Sequence, residues 1–85
     1  MAKVEIEVQN SSHGYDIRVE NVTLNKDLTN NKVTYYVDGE MYEEFPDIED
    51  RKTRDFLQVA YLVYRQKNEV YKEEIDKLID EILRM

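Results

Sequence analysis

"YDIRVENVTL", residues 15–24, is the stretch on which the reading of the N-terminal half turns. Tyr15, Ile17 and Val19 alternate with polar neighbours, the period of a half-buried strand. The apolar phase then slips, because Val22 and Leu24 stand on even numbers where the first three stand on odd ones. One slipped residue in a regular strand predicts a β-bulge or bend, here at Glu20–Asn21, inside a strand over about 15–24.

Toward the N-terminus, "KVEIEV" alternates strictly, with Val4, Ile6 and Val8 on one side and Lys3, Glu5 and Glu7 on the other. This predicts a strand over about 3–9, followed by the turn formers of "QNSSHG". Toward the C-terminus, "NKDLTNNK" reads as polar loop around Leu28, and "VTYYV" as the centre of a strand over about 32–38. Asp38–Gly39 is a two-residue hairpin signal, since both positions of the favoured turn need φ > 0. That hairpin sets Val37 opposite Glu40, Tyr36 opposite Met41, Tyr35 opposite Tyr42 and Val33 opposite Glu44. It predicts a charged edge strand over about 40–45.

Pro46 ends this strand, and Asp47 is placed to cap a helix over about 48–66 with Glu49 and Asp50 in its first turn. Phe56, Val59, Ala60 and Val63 follow the i, i+3, i+4, i+7 pattern, with Leu57, Tyr61, Leu62 and Tyr64 widening the apolar arc. After a break near Asn68, a second helix over about 69–84 carries Tyr71, Ile75, Leu78, Ile82 and Met85 at 4-3-4-3 spacing, flanked by Ile79 and Leu83. This seam packs within the domain or forms a dimer interface. The expected fold is α+β in a single domain, 1–85. A small antiparallel sheet of three to four strands, in β-β-β-β-α-α order, lies with one face on two C-terminal helices.

Composition narrows the function. The chain has 85 residues, no cysteine, two glycines and one proline. It therefore holds no disulfide and no thiolate metal site. No apolar run approaches the ~20 residues of a membrane span. "MAKVEIEV" has no signal-peptide core, so a cytoplasmic protein is expected. A net charge of −7 disfavours direct binding to nucleic acid or anionic lipid and favours a basic partner.

Catalytic signals are absent from the pattern. His13 is the one histidine, and its neighbours Ser11 and Ser12 read as turn residues bonding their own backbone. Zinc needs clusters of His or Cys that the chain lacks. For a hard cation, Asp38, Glu40, Glu43, Glu44 and Asp47 offer oxygens, but their spacing departs from the calcium-loop pattern. No cofactor, metal site or enzymatic activity is expected.

"DGEMYEEFPDIED", residues 38–50, carries seven acidic residues and no basic one. The chain has 19 acidic residues; less these seven, 12 remain against 12 Lys and Arg, so the whole imbalance sits here. Aromatic residues are interleaved with it, and seven tyrosines in 85 residues is a high count for side chains enriched at interface hot spots. Tyr61 and Tyr71 belong to the expected core. The expected partner-binding set is Tyr36, Asp38, Glu40, Tyr42, Glu43, Glu44, Asp47, Glu49 and Asp50, acting on a basic, nucleic-acid-binding protein or nuclease. Carboxylates in a row stand in for phosphates and compete for the arginines and lysines that hold nucleic acid.

In size, charge and architecture the chain resembles small acidic proteins with which phages and mobile elements block host defence nucleases, anti-CRISPR proteins among them. The resemblance implies a nucleic-acid-mimicking inhibitor. Two other readings fit the sequence. One is a homo-oligomer, such as a homodimer, assembled through Tyr71, Ile75, Leu78 and Ile82 or an exposed strand edge. The other is a small-molecule or nucleotide binder that stacks its ligand on tyrosine.

Overall fold

The computed structural model describes residues 4–66 and 72–84. Five strands, β1 (Ile6–Asn10), β2 (Gly14–Val19), β3 (Val22–Asp27), β4 (Lys32–Val37) and β5 (Glu40–Tyr42), precede two helices, α1 (Arg51–Arg65) and α2 (Lys72–Leu83). The strands form one antiparallel sheet in chain order, β1-β2-β3-β4-β5. The architecture is the α+β arrangement read from the sequence, with one strand more.

The extra strand comes from residues 15–24. The expected bulge at Glu20–Asn21 is a two-residue turn, with Val19 paired to Val22. A two-residue turn shifts the apolar phase by one residue, as a bulge does, so the two give the same pattern. Glu20 takes the left-handed region at φ 51, a conformation usually left to Gly, Asn or Asp. Asn21 then ties this turn to the Asp38–Gly39 turn. Its Nδ2 donates to Asp38 Oδ1 at 2.7 Å, and the Asp38 amide donates to the Asn21 carbonyl at 3.1 Å. At the other end of the sheet the Leu28 amide donates to the His13 carbonyl at 2.8 Å, joining the remaining two turns.

Residues 25–27, expected as loop, continue β3. Lys26 occupies an inward position between Tyr15 and Val33, where an apolar residue would ordinarily extend the alternation. It is buried because its stem packs like an aliphatic chain. Its ammonium donates to Asn31 Oδ1 and sits 5.7 Å from the centroid of the Tyr64 ring.

The core lies between the inner sheet face and α1. Ile17, Val19, Val22 and Leu24 meet Leu57, Val59 and Ala60, all fully buried, with Phe56 beside them. α2 lies against α1 through Ile79 and Ile82. The buried pair is therefore Ile79 and Ile82; Ile75 and Leu78 of the expected seam are half-buried against the core, and Tyr71 and Met85 lie outside the described residues. α1 covers β2 and β3 but leaves β1 bare. A groove of about 760 Å³ remains, lined by apolar Val4, Ile6, Val8, Val63, Ile75 and Ile79 and by polar Asn10, Gln66, Lys72 and Asp76.

α1 starts three residues later than expected. Asp50 is its N-cap, accepting from the Thr53 amide at 2.8 Å, so Asp47 caps nothing and the first turn holds Arg51 and Lys52 in place of acidic residues. Pro46 is buried and Ile48 half-buried, which holds residues 46–48 in the loop against the core. Hydrogen bonding from Thr53, side chain first and amide second, holds the Asp50 carboxyl below its ordinary value of 3.8. A depressed folded pKa contributes stability above the unfolded value that is lost as pH falls through the folded one. Asp50→Ala should therefore lower the melting temperature by a few degrees at pH 7. The gap from wild type should close as the pH is taken below 3.8, read from thermal melts across pH.

Candidate functional site

Strand order puts β5 at one edge of the sheet, four strand spacings or about 19 Å from β1 at the other. The Asp38–Gly39 turn forms as its chemistry demands, with φ of 52 and 84. The pairs Val37–Glu40, Tyr36–Met41 and Tyr35–Tyr42 all occur. The expected Val33–Glu44 pair does not, because β5 stops at Tyr42 and the chain turns toward α1.

All seven carboxylates of 38–50 are exposed, but they divide into groups with different partners. Asp38 and Glu40 flank Tyr42, whose hydroxyl donates to Glu40 Oε2 at 2.9 Å. That hydrogen bond, then desolvation and the charges of Glu40 and Asp38, raise the Tyr42 phenol above its ordinary value. Glu43 meets the Lys32 ammonium at 3.2 Å. Asp50 caps α1. Glu44, Asp47 and Glu49 have no side-chain partner among the described residues. In chain order the acidic side chains run from the Asp38–Gly39 turn through β5 and the following loop, and Arg51, Lys52 and Arg54 follow at the helix start. Among the described residues no group of three His, Asp or Glu is placed to hold a metal ion.

The aromatic residues divide as well. Tyr36 and Met41 stand side by side on the open sheet face, Met41 60% exposed. They end a row that crosses the sheet through Glu7, Arg18 and Thr23. On the inner face Tyr35 is buried, and burial raises its phenol pKa. Phe45, 43% exposed, packs edge-on between Tyr35 and Tyr61 at centroid distances of 5.6 and 5.9 Å. The series continues through Tyr64 to Tyr15 at 6.0 and 6.3 Å. Tyr61, expected in the core, is half-buried at the rim of this chain of rings.

Sequence reasoning missed two features at this edge: the aromatic series and the partners that neutralise part of the acidic stretch. Both depend on contacts between residues distant in sequence, such as Lys32 with Glu43 and Phe45 with Tyr61. Elsewhere, Ser11 serves its own turn, its hydroxyl donating to the Gly14 carbonyl at 3.2 Å and accepting from the His13 amide at 3.4 Å. No helix among the described residues is long and apolar enough to cross a membrane. Comparison with family models, curated proteins and solved structures finds no match for this chain.

Proposed function

We propose that this chain is a non-enzymatic binding module, an inhibitor or adaptor that uses the β5 edge and the loop into α1 to occupy a basic surface on a nucleic-acid-binding protein. The observation that carries this reading is the state of the acidic stretch. Seven carboxylates are solvent-exposed between the Asp38–Gly39 turn and the start of α1, three of them without a side-chain partner among the described residues, and Met41 and Phe45 in the same stretch present apolar surface. Exposed carboxylates attract arginine and lysine and speed encounter, while rigid aromatic and apolar contacts hold the complex once formed.

The test reverses charge at four exposed positions, of which Glu40 accepts from the Tyr42 hydroxyl and the other three have no side-chain partner among the described residues. Glu40, Glu44, Asp47 and Glu49 are exposed, and changing all four to lysine adds eight charges to −7, giving +1. Immobilised wild type and variant are each exposed to a nuclease-treated bacterial lysate at low and high salt. Wild type should retain nucleic-acid-binding proteins that are released by salt and by added DNA or RNA. The variant, with an unchanged circular dichroism spectrum, should bind them at least about tenfold more weakly. Identical retention by both proteins would sink the proposal.

A further inference from the structure

The β1 edge differs from the β5 edge in how it is guarded. β5 has three residues and turns Glu40 toward the inner side, devices that keep edges from pairing. β1 has five residues, no proline, and only Ile6, Val8 and Asn10 on its inner side. Val8 is 42% exposed there, and the groove runs alongside.

The β1–β2 turn fixes which backbone groups stay free. The Ser11 amide donates to the Gly14 carbonyl at 2.8 Å, so Ser11 and Gly14 form a hydrogen-bonded pair. Antiparallel ladders alternate, which makes Gln9–Asp16 and Glu7–Arg18 hydrogen-bonded pairs as well. The N–H and C=O of Ile6, Val8 and Asn10 therefore point away from β2, at the open edge.

We propose that a second copy of this chain pairs with β1, antiparallel about a two-fold axis at Val8, to make a continuous ten-stranded sheet. The residues of β1 admit a second copy because one two-fold register sets no like charge directly opposite another, and that register fixes the centre. Centring on Val8 pairs all five residues of β1, setting Ile6 against Asn10, Glu7 against Gln9 and Val8 against its own symmetry mate. Glu5 then faces Ser11. No like charges stand directly opposite each other. Centring on Glu7 sets Glu7 against itself, and centring on Ile6 sets Glu5 against Glu7, both destabilising. Centring on Gln9 leaves Ile6 and Glu7 unpaired. In the Val8 register the two Val8 residues face each other at the symmetry axis with Ile6 of each copy beside them, so the exposed apolar edge of β1 is covered by its mate. The two β5 edges then stand nine strand spacings apart, about 43 Å.

Sedimentation equilibrium of the full chain tests this from about 1 to 300 µM. Wild type should reach twice the 10.3 kDa chain mass. Val8→Lys and Val8→Glu should each weaken association by more than about 100-fold, because each sets like charges face to face in an apolar seam. A one-to-one mixture of the two should restore the dimer, which only a register pairing Val8 with Val8 allows. Val8→Pro removes an edge N–H that serves no bond to β2 and should also yield a monomer with its sheet intact. Wild type at 10.3 kDa throughout would overturn the proposal, as would a dimer indifferent to Val8→Lys. A monomer that binds a synthetic peptide of alternating lysine and valine, and loses it with Val8→Pro, would assign the edge to a foreign strand and also overturn it.

Discussion

Ile82→Asp is expected to leave the protein unfolded at 25 °C. Ile82 is 1% exposed and lies on the face of α2 that meets the core. The substitution removes the transfer and packing energy of a buried isoleucine and puts a carboxylate in its place, a combined cost above about 5 kcal/mol. A chain of this length has roughly 5 kcal/mol of stability near the low end of the usual range. The helical circular dichroism and the dispersed amide spectrum of wild type should both be lost. Ile75→Asp is the control. Ile75 is half-buried beside the open groove, so that variant should fold and melt at a lower temperature. If Ile82→Asp melted with wild type, α2 would have no packed face.

Gly14→Ala has the second large effect, and a different cause. A Cβ at Gly14 would fall far inside van der Waals contact of the Lys26 carbonyl oxygen and would stand 3.0 Å from the Lys26 carbonyl carbon and 3.2 Å from the Asp27 Cα. Those atoms are backbone of β3, paired directly with β2 at this point, so relief requires the ladder to open. The expected cost is at least about 2 kcal/mol, read from urea denaturation. Gly39→Ala separates space from conformation. Nothing lies within 4 Å of a Cβ there, but φ is 84, so only the left-handed backbone penalty of about 1 kcal/mol applies. Equal losses at the two glycines would contradict the close approach at Gly14.

What the sequence disclosed depended on how local the determining interaction was. The Asp38–Gly39 turn and its register were legible because a two-residue turn with a glycine has few conformations. The Glu20–Asn21 turn was not, since neither residue is glycine and the Val19-to-Val22 phase shift belongs equally to a bulge. Lys26 concealed the end of β3, because a lysine at an inward position reads as polar until Asn31 and Tyr64 are found beside it. The cap of α1 was read three residues early, at Asp47, because the burial of Pro46 and Ile48 that keeps residues 46–48 in the loop is not visible in the local pattern. The acidic stretch itself was visible in composition. Its division among Asn21, Tyr42, Lys32 and Thr53 was not, because those pairings are set by the sheet and the loop after β5.

The strictly sequential order of the strands bears on how the chain is made as well as how it stands. Every strand pairs with its neighbour in the chain, across turns of two to four residues, so sheet formation needs little loop closure and should be fast for a β-rich protein. On a ribosome the strands therefore pair as they emerge. The helices that cover Ile17, Val19, Val22, Leu24 and Val37 are synthesised after all five strands. Until α1 clears the exit tunnel, a nascent sheet waits with its apolar face open to solvent. The interval between β5 and the end of α1 is thus the period in which this chain is most exposed to aggregation or to a chaperone.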